Sequence, residues 1–528
     1  MASPIDFLPD EILEYILNLI PPYKDLKECM LVCKRWHHAV KHVIEHRKAY
    51  FQRSVAYGSL LWNSPAISER PSIITNRHSH SACTYENSMY IFGGCTKTGT
   101  TFNDLWKLDL DTRKWERPIP MGTYPSPKAC ASMVYYNKSF VLFGGWAQPA
   151  TFPPFQRRKL FNELHIYSIT NNKWTAIETL NDPPAMCAHS ATVHGNLMVV
   201  FGGISTFLHY NTSNDVWCFN LETHTWHEQI TTSPKPHPRF GHSQIALDDK
   251  NLMIIGGCTN PTVGIDDAWL LTMEGTHWRW TKLTINGLEW APMMIWCHQA
   301  CKVGEHLIIL SKKKQASALS KNVTNDKVIC HGPSSLAMAE CNLPDTQQKS
   351  VPVVDKDENV NGRRGKFKPR PGVVVNSARA INNTRPHPGI RVAVERKFGP
   401  MAAFNPDLGT PSPNRLRQLE DLRRMEERIN RQRMEARLIK TNINRLAIFV
   451  LNIANVLRED HSASWIQNSG KDLTGPEERV LYSLVLGNAE LIFFGGTRKF
   501  PTKQGQIEGE VSEVYNDVHF INPPRYAI

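Results

Sequence analysis

The 528-residue chain lacks any long apolar run. Its longest, LAIFVLNIA from Leu446, is far short of the ~20 residues that a membrane helix needs. The opening residues, MASPIDFLPDEILEY, carry acidic groups where a secretory signal has basic ones, and no apolar segment follows. The expectation is a soluble protein of the cytoplasm and/or nucleus, with no membrane partner. A glycine-rich phosphate loop and a Gly-x-Ser-x-Gly elbow are also missing. Metal ligands are sparse: the nearest clusters are CHQAC from Cys297 and HSH from His78. On a strand, Cys297 and Cys301 share one face and His298 takes the other, so CHQAC makes no site. No catalytic residue, metal or cofactor is expected. The 12 cysteines are irregularly spaced and read as reduced thiols, several of them in strands.

Basic charge is scarce outside one segment. The chain carries a formal +12, yet residues 312–445 hold 27 Lys and Arg against 13 Asp and Glu. The rest holds 34 against 36, which gives the folded body no charge reason to bind nucleic acid. Nucleic acid is therefore not an expected partner; only the basic segment would support one.

What the chain has in abundance is repetition. YIFGG ends at Gly94, FVLFGG at Gly145, MVVFGG at Gly203, LMIIGG at Gly257 and ELIFFGG at Gly496. The first three intervals are 51, 58 and 54 residues. A strand carrying small or histidine residues precedes most of these runs, as in RHSHSACTY and RFGHSQIAL. Two more strands follow, with nine residues separating Trp106 from Trp115, His165 from Trp174, Trp217 from Trp226, and Trp269 from Trp278. Four strands per unit at a period near ~50 residues form the kelch pattern, whose units stack as blades of a β-propeller. The tryptophans are read as plugs between blades, without chemistry.

Between Gly257 and Gly496 lies a split unit. WAPMMIWCHQACKVGEHLIILSK supplies its first two strands, with Leu310-Ser311 in place of the glycines. RLAIFVLNIANVLREDHSASWIQ supplies the others, with Phe449 and Trp465 in the tryptophan roles. A sixth unit runs to YNDVHFINPP and lacks a fourth strand. Ser59–Asn63, with Trp62, is expected to provide it and so close the ring. The intervening residues are rich in Pro, Asn, Lys and Arg to about Pro413 and read as disordered. From Asn414 they read as a solvated helix, or as a partner-binding or nuclear-import element.

The first forty-odd residues differ from the rest. Pro9, Asp10 and Glu11 suit a first helical turn, and Ile12, Leu13, Ile16, Leu17 and Ile20 give a broad apolar face. Pro21-Pro22 stops that helix, and Asp25 caps a second that carries Leu26, Cys29, Met30, Val32, Cys33 and Trp36. So short a helical module has surplus apolar surface, which implies a partner. Leu8-Pro9, Glu11-Ile12-Leu13, Pro21-Pro22 and LVCKRW from Leu31 resemble an F-box. With the repeats behind it, the chain resembles the F-box/kelch proteins. The implied fold is mainly β: a six-bladed kelch propeller after a small α-helical F-box, with a largely disordered basic insertion in blade five. The expected boundaries are 1–57 for F-box and linker helix, 58–311 for blades one to four and half of five, 312–445 for the insertion, and 446–528 for the remainder.

The resemblance implies a non-catalytic substrate receptor of a Skp–cullin–F-box ubiquitin ligase. It would bind a Skp-type adaptor, and through it a cullin and a RING protein, and hold an unidentified target protein. Adaptor-facing positions would be Leu8, Pro9, Ile12, Leu13 and Ile16, with Leu31, Val32 and Trp36 shaping the second helix. For Ile16, Val32 and Trp36, packing within the module is the equal alternative. The helical stretch from Lys41 would set the spacing between modules. Target-binding candidates come from the loops after the double glycines, which are rich in interface-type residues. They are Trp146, Phe152, Phe155, Arg157, Arg158, Phe207, His209 and Tyr210. Phe152 and Phe155 could instead fold under as a loop core. Arg77, His80, Arg239 and His242 are read as bonding loop backbone. The alternative function is a non-catalytic kelch scaffold or cytoskeletal interaction protein.

Overall fold

A computed structural model describes residues 4–64, 74–149, 156–207, 210–261, 263–312, 445–467, 475–498 and 513–524. The insertion readings therefore lie outside the described residues, as do Phe152, Phe155 and His209. Among the described residues six sheets of four antiparallel strands stand around one axis, and those of blades two and five carry a fifth, parallel outer strand at Met121–Gly122 and Thr284–Asn286. Blade one comprises Ser81–Tyr85, Ser88–Phe92, Leu105–Asp109 and Lys114–Glu116. Blades two, three and four repeat this order, from Ser132, Ser190 and Ser243 respectively. Blade five joins Cys301–Val303 and His306–Lys312 to Leu446–Asn452 and Ser462–Trp465. In blade six, Leu61–Asn63 pairs with Phe520–Asn522, so the start of the chain supplies the outer strand of the last sheet. That pairing closes the ring, in the place that the spacing of Trp62 predicts.

A double glycine ends the second strand in blades one to four and in blade six. At Gly144 and Gly145 φ is 70° and 97°, a region other residues rarely enter. A Cβ on Gly144 would lie 2.6 Å from His189 Cε1 and 2.7 Å from the Met186 carbonyl of the next blade. Blade five has Leu310-Ser311 there instead. Its strand runs straight on to Lys312, paired with Leu446, and residues 313–444 are spliced between those two.

Aromatic contacts stitch neighbouring blades. Trp115 packs on Phe494 of blade six at 5.0 Å between ring centroids, Trp174 on Phe92 at 5.3 Å, and Trp226 on Phe143 at 4.8 Å. In blade four this role belongs to Trp280, 5.1 Å from Phe201, and not to Trp278. The turn after Thr272 is two residues longer there, so Trp280 stands opposite Leu271 as Trp115 stands opposite Leu108. The nine-residue spacing to Trp278 is a coincidence. Phe449 and Trp465 meet edge to face at 6.4 Å, the same arrangement as Trp106 and Trp115.

Three helices precede the ring: α1 (Asp10–Leu17), α2 (Lys24–Cys29) and α3 (Lys34–Ala56). The single second helix expected from Asp25 to Trp36 is two. Asp25 lies inside α2, and Cys33 is extended (φ −163°, ψ 172°), which starts α3 in a new direction. Leu13, Leu17, Leu26, Ala39, Val40 and Val43 form the module's core. Arg35 on Asp10 (2.7 Å) and His42 on Glu14 (2.8 Å) tie α3 to α1. Among the described residues no helix is long and apolar enough to cross a membrane.

Candidate functional site

The axis of the ring is built from six equivalent residues: Ser79, Cys130, Ala188, Gly241, Cys297 and Leu481. All six are left-handed, with φ between 52° and 63°. This conformation turns each peptide tangential to the axis. Each N–H donates to the carbonyl of the preceding blade's residue at 2.7–3.0 Å, and Ser79 donates to Leu481, so six hydrogen bonds close a ring. Left-handed backbone costs roughly 1–2 kcal/mol per non-glycine residue, and a closed set of buried bonds offsets it. Cys297 is thus a turn residue ahead of a strand that begins at Cys301, which corrects the reading of CHQAC as continuous strand. In sequence this ring shows only partly, as a small residue before His in four of the six units (Ser79, Ala188, Gly241 and Cys297), while Cys130 precedes Ala131 and Leu481 precedes Tyr482.

On one side of the ring lies a channel of about 240 Å³ lined by His80, His189, His242, His298 and the serines beside them. Its histidines pack between blades. His80 and His189 face the Ser483 and Ser132 hydroxyls at 2.9 Å, and burial pushes the pKa of His189 down to about 3. Arg77 and Arg239 are fully buried. They donate to the Gly93 and Gly256 carbonyls, and to Asp104 and Asp267 at 2.8 and 2.6 Å. Among the described residues no three His, Cys, Asp or Glu side chains are grouped to hold a metal.

On the other side the mouth is filled. Trp146, Phe207, Phe240 and Trp296 pack with Cys95, Cys187, Cys258 and Ile204 into one cluster. Trp146 is 1% exposed and Phe207 7%, so both side chains are buried within this cluster. Tyr210 is half-buried, stacked on Phe240 at 6.4 Å. Arg157 is exposed, and Arg158 covers Trp146 and Phe207 at 5.0 and 5.6 Å.

The helical module sits at the opposite end of the blades, against the turns of blades five, six and one. Tyr23 is fully buried, and its hydroxyl donates to Glu490. Arg113 grips the same carboxylate at 2.8 and 3.0 Å and lies 3.7 Å over Phe520. Asn488 donates to the Pro22 carbonyl at 2.8 Å. Phe51 and Val55, near the end of α3, enter the core shared by blades five and six. The double proline places Tyr23 as well as stopping α1, a role the sequence reading missed.

The module's other surface is apolar and uncovered. Phe7 is 77% exposed and Leu31 84%, and Pro9, Ile12, Ile16, Leu19 and Val32 are exposed too. Leu8 is half-buried. Leu13 is fully buried in the module's core, so it is a packing residue and not a contact; one helical position away from Ile12, it faces inward. Trp36 packs partly against that core. Phe7 and Leu19 were not among the sequence candidates, although they flank the same apolar stripe.

Residues 5–52 match the protein-family model described as F-box-like, and residues 77–278 match the one described as FBX42, beta-propeller domain. The chain is 27% identical over 253 residues to Kelch domain-containing protein 3 of Bos taurus. It joins an F-box-like module to a kelch propeller. That match covers 46% of this chain and 63% of the bovine protein. Acyl-CoA-binding domain-containing protein 5 of Arabidopsis thaliana is 29% identical over 210 residues, 39% of this chain and 30% of that protein. Among solved structures, that of YjhT aligns at 18% identity with a TM-score of 0.39, over 50% of this chain and 80% of the other. F-box modules generally bind Skp-type adaptors, and F-box/kelch architecture is typical of non-catalytic adaptor proteins.

Proposed function

We propose that the chain is the substrate-recognition subunit of a Skp–cullin–F-box ubiquitin ligase. The observation that carries this reading is the two-sided F-box-like module. One side is fixed to the propeller through Tyr23, Glu490 and Arg113, while Phe7, Ile12, Ile16, Leu19, Leu31 and Val32 lie uncovered on it. A surface this apolar on so small a module suits a protein partner. The adaptor takes that surface and brings the cullin and RING protein. The target docks on the far end of the propeller, where the loops after the glycine pairs emerge and the F-box-like module leaves room. The gain is proximity: a target held beside the ubiquitin-loaded enzyme reacts as if at high local concentration.

Co-purification of the full chain with a recombinant Skp-type adaptor tests this. Leu31→Asp with Val32→Asp abolishes the complex and leaves the melting temperature unchanged, because neither side chain packs inside the module. An adaptor that stays bound to the double variant, or never binds the parent chain, refutes the reading.

A further inference from the structure

Cations of the propeller interior are matched to acids. Arg77 has Asp104, Lys128 has Glu163, Arg239 has Asp267 and Arg479 has Asp517, all within 2.5–2.8 Å. The rim of blade two breaks that pattern. Arg157, Arg158 and Lys159 are consecutive, and among the described residues none forms an ion pair. Arg158 spends Nε on Gln148 at 3.1 Å and its ring-facing surface on Trp146 and Phe207. Its Nη1 is buried and has no acceptor. Burial lowers the Arg158 pKa, and it raises those of the nearby Cys95 and Cys187 thiols, so no thiolate supplies the missing charge. A desolvated guanidinium with open donors is costly unless an acceptor arrives, and its planar fork fits a carboxylate.

We propose that the blade-two rim of Arg157, Arg158 and Lys159 takes an acidic segment of the target polypeptide, with Arg158 forking one carboxylate. This rests on the target-receptor reading, and it involves the end of the propeller opposite the adaptor surface. The two can therefore fail separately.

The test is selection of a random-peptide display library on the full-length chain, followed by fluorescence polarisation of the enriched peptides. Asp or Glu is enriched. Affinity falls about tenfold or more with Arg158→Gln, and less with Arg158→Lys, which keeps charge but loses the fork. Changing the peptide's acid to its amide gives the same loss, with no further loss on Arg158→Gln. The exposed pair Arg157→Gln and Lys159→Gln weakens binding and steepens no fold defect, which covers the case in which Arg158→Gln does not fold. A phosphoserine version that binds more tightly than the carboxylate would reassign the site to phosphate and overturn the proposal. Failure to enrich any peptide, enrichment of neutral peptides, or equal affinity for parent and variants also overturns it, whatever the adaptor does.

Discussion

The joint between module and propeller offers the sharpest test of the architecture. Glu490 has a side chain only 4% exposed, and it receives two bonds from Arg113 and one from Tyr23. The Asn522 amide, turned with its nitrogen inward, adds a donor at 3.3 Å. Arg113→Met removes the one cation that pairs with it among the described residues and leaves a buried carboxylate with neutral donors, at a cost of about 3–5 kcal/mol. Tyr23→Phe removes one bond to a charged group, about 1.5–3 kcal/mol. The module's own core is six buried residues, so a loss of that size falls on α1 and α2 before the blades. Hydrogen exchange on the full chain measures it. Amides of α1 and α2 exchange about 10²–10⁴-fold faster in Arg113→Met, while those of blades two to four are unchanged. Combining Arg113→Met with Glu490→Gln restores part of the protection, because no charge is then stranded. Unaltered exchange in α1 and α2 of Arg113→Met would show that the joint is not held by this carboxylate.

Acid should weaken the propeller through its neutral histidines. Burial lowers His78 and His298 to about 4 and His189 to about 3, whereas an unfolded histidine titrates near 6.5. Between those values the unfolded chain binds more protons, so stability is full above about pH 7 and falls as pH drops toward 4, by up to about 2 kcal/mol per histidine at pH 5. Urea unfolding at stepped pH measures the slope, and His189→Asn flattens it; a slope unaffected by that change refutes the assignment. Glycine substitution separates backbone strain from crowding. Gly195→Ala has φ +56° and open space around it, and costs about 1–2 kcal/mol. Gly144→Ala adds contacts of 2.6 and 2.7 Å with the next blade, and costs about 1–3 kcal/mol more. Equal melting temperatures for the two variants would mean that the glycine pair does not set blade spacing.

The repeats were legible because most blades use the same few residues at the same register: an apolar second strand, a glycine pair and a closing tryptophan. Even the split blade showed itself, since Phe449 and Trp465 fill the usual places. Reading stopped where a turn changed length. Trp278 satisfied the spacing in blade four, but only the hydrogen-bond register identifies Trp280. The break at Cys33 was hidden for a related reason. The apolar pattern continues through Val32, and the extended backbone that ends it leaves no mark on residue type.

The sequence by itself determined the propeller, its number of blades, its closure by the first strand and the apolar helical module, because these follow from periodicity and surplus hydrophobic surface. Tertiary structure decided direction: that Leu13 turns inward while Leu31 stays bare, that Trp146 plugs the mouth, and that Glu490 anchors the module. Periodicity states which residues share a face. Only the packing of distant segments settles what that face meets.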